Sequence, residues 1–130
     1  VDSIKLLKEI NKQALKNNRV INCLLQVKIA KEESKFGCSE MEVDNLLNSK
    51  EIKQLNNIKI VGLMGMATNT TDTTVVEEEF KSLYQFHKKI SAQHTSLKTL
   101  SMGMSNDYKI AIQQGANMVR IGSTIFGKRD

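Results

Sequence analysis

Apolar residues along the chain follow two spacings, one typical of amphipathic helices and one typical of buried strands. In the first segment they recur at intervals of three and four and share one helical face: Ile4, Leu7, Ile10 and Ala14. Asp2 or Ser3 stands just before this segment and can cap the predicted helix. Residues 20–29 are then mostly apolar and partly β-branched, so we predict a first strand there.

The same alternation continues to the end of the chain. Further strands are predicted at residues 58–64, 97–102 and 118–121. Between them, Ser39 opens a helix, with Glu42 three residues on in the position of a capping box. The acidic run 77–79 predicts the start of a long helix, because carboxylates suit the positive end of the helix dipole. Residues 106–114 predict one more helix.

This order predicts an α/β fold with a parallel sheet and right-handed crossovers. Two architectures fit, a doubly wound sheet and part of a (β/α)₈ barrel. A whole barrel takes about 250 residues, and the chain has 130. No G-x-G-x-x-G follows the first strand and no G-x-x-x-x-G-K-[ST] occurs, which disfavours the nucleotide-binding folds that use these loops.

Two apolar segments near the end of the chain stop abruptly in serine and glycine. Ser101 ends the third strand as predicted here, and Gly122 and Ser123 follow the fourth. Glycine lets a backbone approach an oxygen closely, serine adds a hydroxyl donor, and a following helix start supplies unpaired amides. Because barrels often bind phosphate after their last two strands, these residues predict an anion site and favour the barrel.

Composition narrows the choice of partners. The net charge is +5, but the lysines are scattered at helical spacing and only 5% of residues are aromatic, so we expect no nucleic-acid partner. The chain lacks a long apolar run, so we expect no membrane span. Cys23 and Cys38 have no metal-ligand spacing, which favours a reduced, cytoplasmic setting. His87 and His94 lie seven residues apart without a third ligand, so no metal site is predicted.

Four stretches of the chain carry a family resemblance. Residues 26–37, Q-V-K-I-A-K-E-E-S-K-F-G, resemble a stretch of the pyridoxal phosphate homeostasis proteins. Residues 62–66, G-L-M-G-M, and residues 100–107, L-S-M-G-M-S-N-D, resemble two further motifs of that family. Residues 119–127, V-R-I-G-S-T-I-F-G, resemble its last motif, and also a motif of the alanine racemases. The motifs occur in the family's order.

The resemblance implies a fold, a cofactor and a set of site residues. Residues 1–130 would form the carboxy-terminal half of a single (β/α)₈ barrel that resembles the alanine racemase N-terminal domain. The implied cofactor is pyridoxal 5′-phosphate (PLP). Its phosphate would be held by Ser101 and the amide of Met102, and by Gly122 and Ser123. Arg120 would face the pyridine nitrogen and, as a permanent cation, could not accept a proton from it.

The resemblance also implies a function in intracellular PLP homeostasis, without an established catalytic activity. In the family, one lysine binds the cofactor covalently, and that lysine matches a point upstream of Val1. We therefore expect the chain to be a fragment whose partner is the missing amino-terminal half. Exposed sheet edges would then favour self-association. Lys35, in the loop that follows the first strand, is a candidate for the pocket mouth.

Two other functions stay open. A PLP-dependent amino-acid racemase of the alanine racemase type needs the cofactor lysine and a second acid or base, usually tyrosine. Neither Tyr84 nor Tyr108 falls at a predicted strand end, which weakens that hypothesis. A barrel that acts on a sugar phosphate would need carboxylates at its strand ends, and none is convincingly placed there.

Overall fold

Four strands alternate with six helices over residues 1–32 and 36–129, the part of the chain that the computed structural model describes. In chain order the elements are α1 (Ile4–Lys16), β1 (Ile21–Gln26), α2 (Glu40–Leu47), α3 (Lys50–Lys53), β2 (Ile58–Gly65), α4 (Thr73–Gln93), β3 (Thr99–Met104), α5 (Tyr108–Gln113), β4 (Met118–Arg120) and α6 (Ser123–Phe126). The candidate Lys35 lies outside the described residues.

The strands form one parallel sheet in the order β1-β2-β3-β4, so neighbours in space are neighbours along the chain. A doubly wound sheet reverses its strand order at a switch point, whereas a barrel keeps it sequential. The order therefore agrees with the predicted partial barrel. It also brings the carboxyl ends of all four strands to one edge.

One face of the sheet carries the core. In β1, the buried Cys23 and Leu25 alternate with Asn22, Leu24 and Gln26, which are exposed or half-buried. Successive side chains of a strand point to opposite faces, so β1 is fully covered on one face, whereas β3 is buried on both. The largest buried side chains come from the strands and from α1, α2 and α4: Phe80, Leu7, Leu25, Leu63, Leu83, Leu100, Met102 and Val43.

Local capping signals act as the sequence predicts. The hydroxyl of Ser3 accepts a hydrogen bond from the amide of Leu6 at the start of α1. Ser39 and Glu42 form the predicted capping box, each side chain accepting from the other residue's amide at 3.1 Å. These hydrogen bonds with Ser39 lower the pKa of the Glu42 carboxyl. Both caps depend on residues within four positions, which explains why the sequence reveals them.

Two element boundaries differ from the prediction, the start of α4 and the end of β1. The long helix α4 begins at Thr73, before the acidic run 77–79, because Asp72 accepts a hydrogen bond from the amide of Thr74 and caps it earlier. The strand β1 is shorter than predicted, since Val27 forms only an isolated bridge with Cys38.

The third strand is displaced along the chain relative to its prediction. Residues 97 and 98 belong to the turn after α4, because their amides bond to His94 and Ser96. The strand begins at Thr99 and continues to Met104. The prediction that Ser101 ends this strand is therefore wrong.

Gly62 of β2 is paired with Thr99 of β3 and lies against its backbone. A Cβ built on Gly62 would stand 2.0 Å from the carbonyl oxygen of Thr99 and 2.7 Å from its carbonyl carbon. Both contacts are with the backbone of the neighbouring strand, which cannot move without breaking the ladder. Only glycine fits at this position.

We predict that Gly62→Ala forces β2 and β3 apart. The expected loss in unfolding free energy is at least about 3 kcal/mol, a large part of a small domain's stability. Urea denaturation followed by circular dichroism measures it. Gly122→Ala is the matched control for folding, because a Cβ there meets no heavy atom within 4 Å. Equal unfolding midpoints for the two variants would contradict the prediction.

Candidate functional site

A cavity of about 760 Å³ opens at the carboxyl ends of β2, β3 and β4. Three segments line it: residues 66–70 after β2, residues 103–107 at the end of β3, and a set of residues after β4 that includes Gly122, Ser123 and Phe126. The strand order places β3 between the other two, so its end forms the middle of the cavity. Parallel sheets commonly bind ligands at this edge.

Ser105 joins the ends of β3 and β4. Its hydroxyl oxygen accepts hydrogen bonds from the amides of Gly122 and Thr124, each at 3.2 Å. With both lone pairs engaged, the hydroxyl keeps its own proton to donate. Ser105 lines the cavity and is absent from the predicted site residues. The signal that could have revealed it is the second serine of S-M-G-M-S, which follows the true end of β3.

Arg120 bonds across three strands and is not among the residues that line this cavity. Its Nη1 donates to the Ser101 hydroxyl at 2.7 Å and to the Ser101 carbonyl at 3.2 Å, and its Nη2 donates to the Gly65 carbonyl at 3.1 Å. Burial lowers the pKa of Arg120, while the charge of Asp107 opposes that shift. The guanidinium stays protonated at any physiological pH. It therefore puts a fixed positive charge at the strand ends.

Asp107 lies in the turn after β3 and lines the same cavity. Its carboxylate accepts a hydrogen bond from the amide of Met104 at 2.7 Å. Asp107 precedes α5 as its N-cap residue, but its side chain makes no capping hydrogen bond to that helix. The carboxylate thus shapes the loop between β3 and α5.

The structure separates the predicted anion-binding residues into two groups. Gly122 and Ser123 line the cavity. Ser101 and Met102 lie inside the strand instead, with 1% and 0% of their surfaces exposed, and neither lines the cavity. The physical reason is the displacement of β3, which puts Ser105 near the place expected of Ser101. A phosphate contact by Ser101 or Met102 stays a prediction, which this burial disfavours.

His87 and His94 occupy different positions relative to α4. His87 lies in α4, and its Nε2 is 2.8 Å from the carbonyl oxygen of Leu97. Burial lowers the pKa of His87. His94 follows the last residue of the helix. Within the described ranges, no three histidine, cysteine, aspartate or glutamate side chains come together as metal ligands would. None of the described helices combines the length and apolarity needed to cross a bilayer.

We predict that Ser101→Ala destabilises the fold, because it removes an acceptor of the half-buried Arg120. Hydrogen bonds to charged groups are worth about 1.5–3 kcal/mol, so the expected loss in unfolding free energy is about 2 kcal/mol. Chemical denaturation measures it, with Ser91→Ala in α4 as the control, since the Ser91 hydroxyl bonds only weakly to its own helix. A Ser101→Ala chain as stable as the control, but unable to bind phosphate, would restore Ser101 as a ligand.

Comparison with known proteins agrees with this fold. A pyridoxal phosphate homeostasis protein of Vibrio alginolyticus is 38% identical over 130 residues, which cover 100% of this chain and 55% of that protein. One from Aquifex aeolicus is 37% identical over 131 residues, covering 99% and 56%. The structure of PipY from Synechococcus elongatus with PLP bound has a TM-score of 0.81 at 28% identity, covering 98% of this chain and 58% of PipY.

These matches confirm the predicted resemblance to the pyridoxal phosphate homeostasis proteins and the predicted barrel-type α/β fold. The chain spans about half the length of the relatives that it matches. The family model for the alanine racemase N-terminal domain matches residues 1–130 in full. On this match and on the sequential parallel sheet, the chain belongs to the alanine racemase N-terminal domain family.

Proposed function

We propose that this chain contributes the phosphate-binding end of a PLP site and acts in PLP homeostasis without catalysing a reaction. The observation that carries the proposal is the junction of two strand ends at one cavity, where the amides of Gly122 and Thr124 hold the hydroxyl of Ser105. Relatives named for PLP homeostasis and a PLP-bound structural neighbour support the choice of ligand.

The residues present fit a phosphate group. A Cβ on Gly122 would stand in open space, with no heavy atom within 4 Å, so the backbone there leaves room for an oxyanion. The amide of Ser123, first in α6, has no acceptor within its own helix. Lys128 and Arg129 also line the cavity and add positive charge. In this proposal the Ser105 hydroxyl and the Ser123 amide donate to the phosphate oxygens, and Gly122, whose amide is held by Ser105, leaves the space that they occupy.

Arg120 would hold the pyridine nitrogen of the cofactor. Within the described residues, three of its five N–H donors engage Ser101 and Gly65, which leaves two for a ligand. A guanidinium only donates hydrogen bonds, so it favours an unprotonated ring nitrogen. PLP supplies an electron sink when bound, and an unprotonated ring weakens that sink. This property supports binding over catalysis.

A racemase is the second candidate, because the chain belongs to a family named after alanine racemase. That activity needs an acid or base on the ligand in addition to the cofactor lysine. Tyr84 lies in α4 with its ring against Gly115, and Tyr108 begins α5. Neither tyrosine is among the residues that line the 760 Å³ cavity. For this reason we favour the homeostasis function.

We further propose that residues 1–130 are the carboxy-terminal half of one barrel, completed by an amino-terminal half. The backbone of Val1 supports this, since its nitrogen donates to the Leu24 carbonyl and its carbonyl accepts from the Gln26 amide. A parallel strand paired with β1 makes hydrogen bonds of this pattern. Self-association and a cytoplasmic location stay predictions.

We predict that the chain binds PLP more tightly than pyridoxal, which lacks the phosphate. Gly122→Ala should fold normally but bind PLP at least about tenfold more weakly, since its methyl group would occupy the anion's place. Equilibrium dialysis with absorbance detection measures both affinities. Gly122→Ala should leave the weak binding of pyridoxal nearly unchanged, which makes pyridoxal the internal control.

Equal affinities of the wild-type chain for PLP and pyridoxal would contradict the phosphate site. A second measurement separates the two candidate functions. The full-length protein, with the proposed amino-terminal half that would carry the cofactor lysine, should form no D-alanine from L-alanine and PLP above the rate of free PLP. Faster conversion would favour the racemase.

A further inference from the structure

The helix α4 places a buried carboxylate beneath the loop that follows β2. Glu79 is only 5% exposed. One of its oxygens accepts from the amide of Thr68 and the other from the Thr68 hydroxyl, both at 2.7 Å. The sequence predicts Glu79 as part of a helix start, but α4 begins earlier, at Thr73. Glu79 therefore lies well inside the helix and bonds to a loop.

Thr68 is connected on its other side as well. Its hydroxyl oxygen accepts from the amide of Lys31 at 3.0 Å. The next residue, Asn69, donates its amide to the Glu32 carboxylate at 2.8 Å. Thr68 and Asn69 belong to residues 66–70, which line the cavity and are called the rim loop below. The rim loop is thus bonded to α4 and to the chain after β1.

Burying a carboxylate is costly unless strong hydrogen bonds offset the lost hydration. Hydrogen bonds from an amide and a hydroxyl to a carboxylate are charge-assisted and directional. Two of them on one residue fix both the backbone and the side chain of Thr68. A purely apolar side chain at position 79 would leave the Thr68 amide without its acceptor.

We infer that Glu79 is a positioning residue for ligand binding, and this inference rests on the proposed function. Glu79 holds the rim loop in place. This loop forms the side of the cavity opposite Gly122 and Ser123, with the end of β3 between them. A ligand that had to order this loop on binding would lose affinity in proportion to the loop's disorder. Through Thr68, Glu79 raises the affinity for PLP without touching it.

The test compares three variants of the chain. Glu79→Leu removes both acceptor oxygens and leaves a side chain of similar volume. Glu79→Gln keeps one oxygen for the Thr68 amide. Glu78→Gln makes the same chemical change at an exposed neighbour in α4 and is the matched control. Hydrogen exchange of the rim-loop amides and equilibrium binding of PLP are measured for each.

In Glu79→Leu, the amide hydrogens of Thr68 and Asn69 should exchange about tenfold faster than in the wild-type chain, because the Thr68 amide loses its acceptor. The variant should also bind PLP about tenfold more weakly. Glu79→Gln should change both quantities by no more than about threefold, since it keeps one of the two hydrogen bonds. Glu78→Gln should match the wild-type chain in both. A purely structural role of Glu79 would lower the thermal midpoint without changing the affinity of the folded chain.

Thr68 provides an independent test if Glu79→Leu fails to fold. Thr68→Val removes the hydroxyl at constant shape, and Thr68→Ser keeps it. We expect Thr68→Val to weaken PLP binding about fivefold, as for the loss of one hydrogen bond to a charged group, and Thr68→Ser to recover most of that loss.

Two results would overturn the inference. One is a folded Glu79→Leu chain with the PLP affinity of Glu78→Gln. The other is an equal loss of affinity in Thr68→Ser and Thr68→Val. Failure of the wild-type chain to bind PLP overturns the proposed function instead. In that case hydrogen exchange of the rim-loop amides alone tests whether Glu79 positions the loop. Faster exchange in Glu79→Leu than in the wild-type chain supports this role, and unchanged exchange refutes it.

Discussion

A half-buried guanidinium that spans three strands sets the geometry of this molecule's functional edge. Arg120 has lost much of its hydration, so its donors need protein acceptors. The carbonyls of Ser101 and Gly65 meet that need from β3 and β2, together with the Ser101 hydroxyl. Arg120 therefore ties the ends of β2 and β4 to the interior of β3, and the loops that follow the three strands share one cavity.

Local signals in the sequence predict much of the fold. The caps at Ser3 and Ser39 depend on nearby residues, and the helix–strand alternation predicts the parallel sheet. The position of β3 along the chain depends on partners outside the strand. Asn117 bonds to the backbone on both sides of Thr99, the first residue of β3, and residues 97 and 98 belong to the turn after α4. That displacement puts Ser105 just after the strand end. Two of the four predicted phosphate ligands, Gly122 and Ser123, therefore line the cavity, and the prediction misses Ser105.

The two ends of the cavity serve different needs in this account. Beyond β4, backbone amides and the Ser105 hydroxyl offer donors without a negative charge, as an anion requires. Beyond β2, the rim loop is fixed from behind by the buried Glu79, whose two carboxylate oxygens both accept hydrogen bonds from Thr68. The fixed charge of Arg120 lies between them. Under the proposed function, this arrangement would hold a phosphorylated ring through hydrogen-bond donors and a fixed positive charge.

In the proposed site, the ends of β3 and β4 bind one oxyanion together. A titration of the ¹⁵N-labelled chain with inorganic phosphate, followed by NMR of the backbone amides, tests this directly. We expect saturable shifts that share one dissociation constant at Ser105, Gly122 and Ser123. The amides of Asn22 and Lys59, near the amino ends of β1 and β2, should stay unchanged. Shifts confined to Lys128 and Arg129, or no saturable shift at Ser105, would contradict the claim.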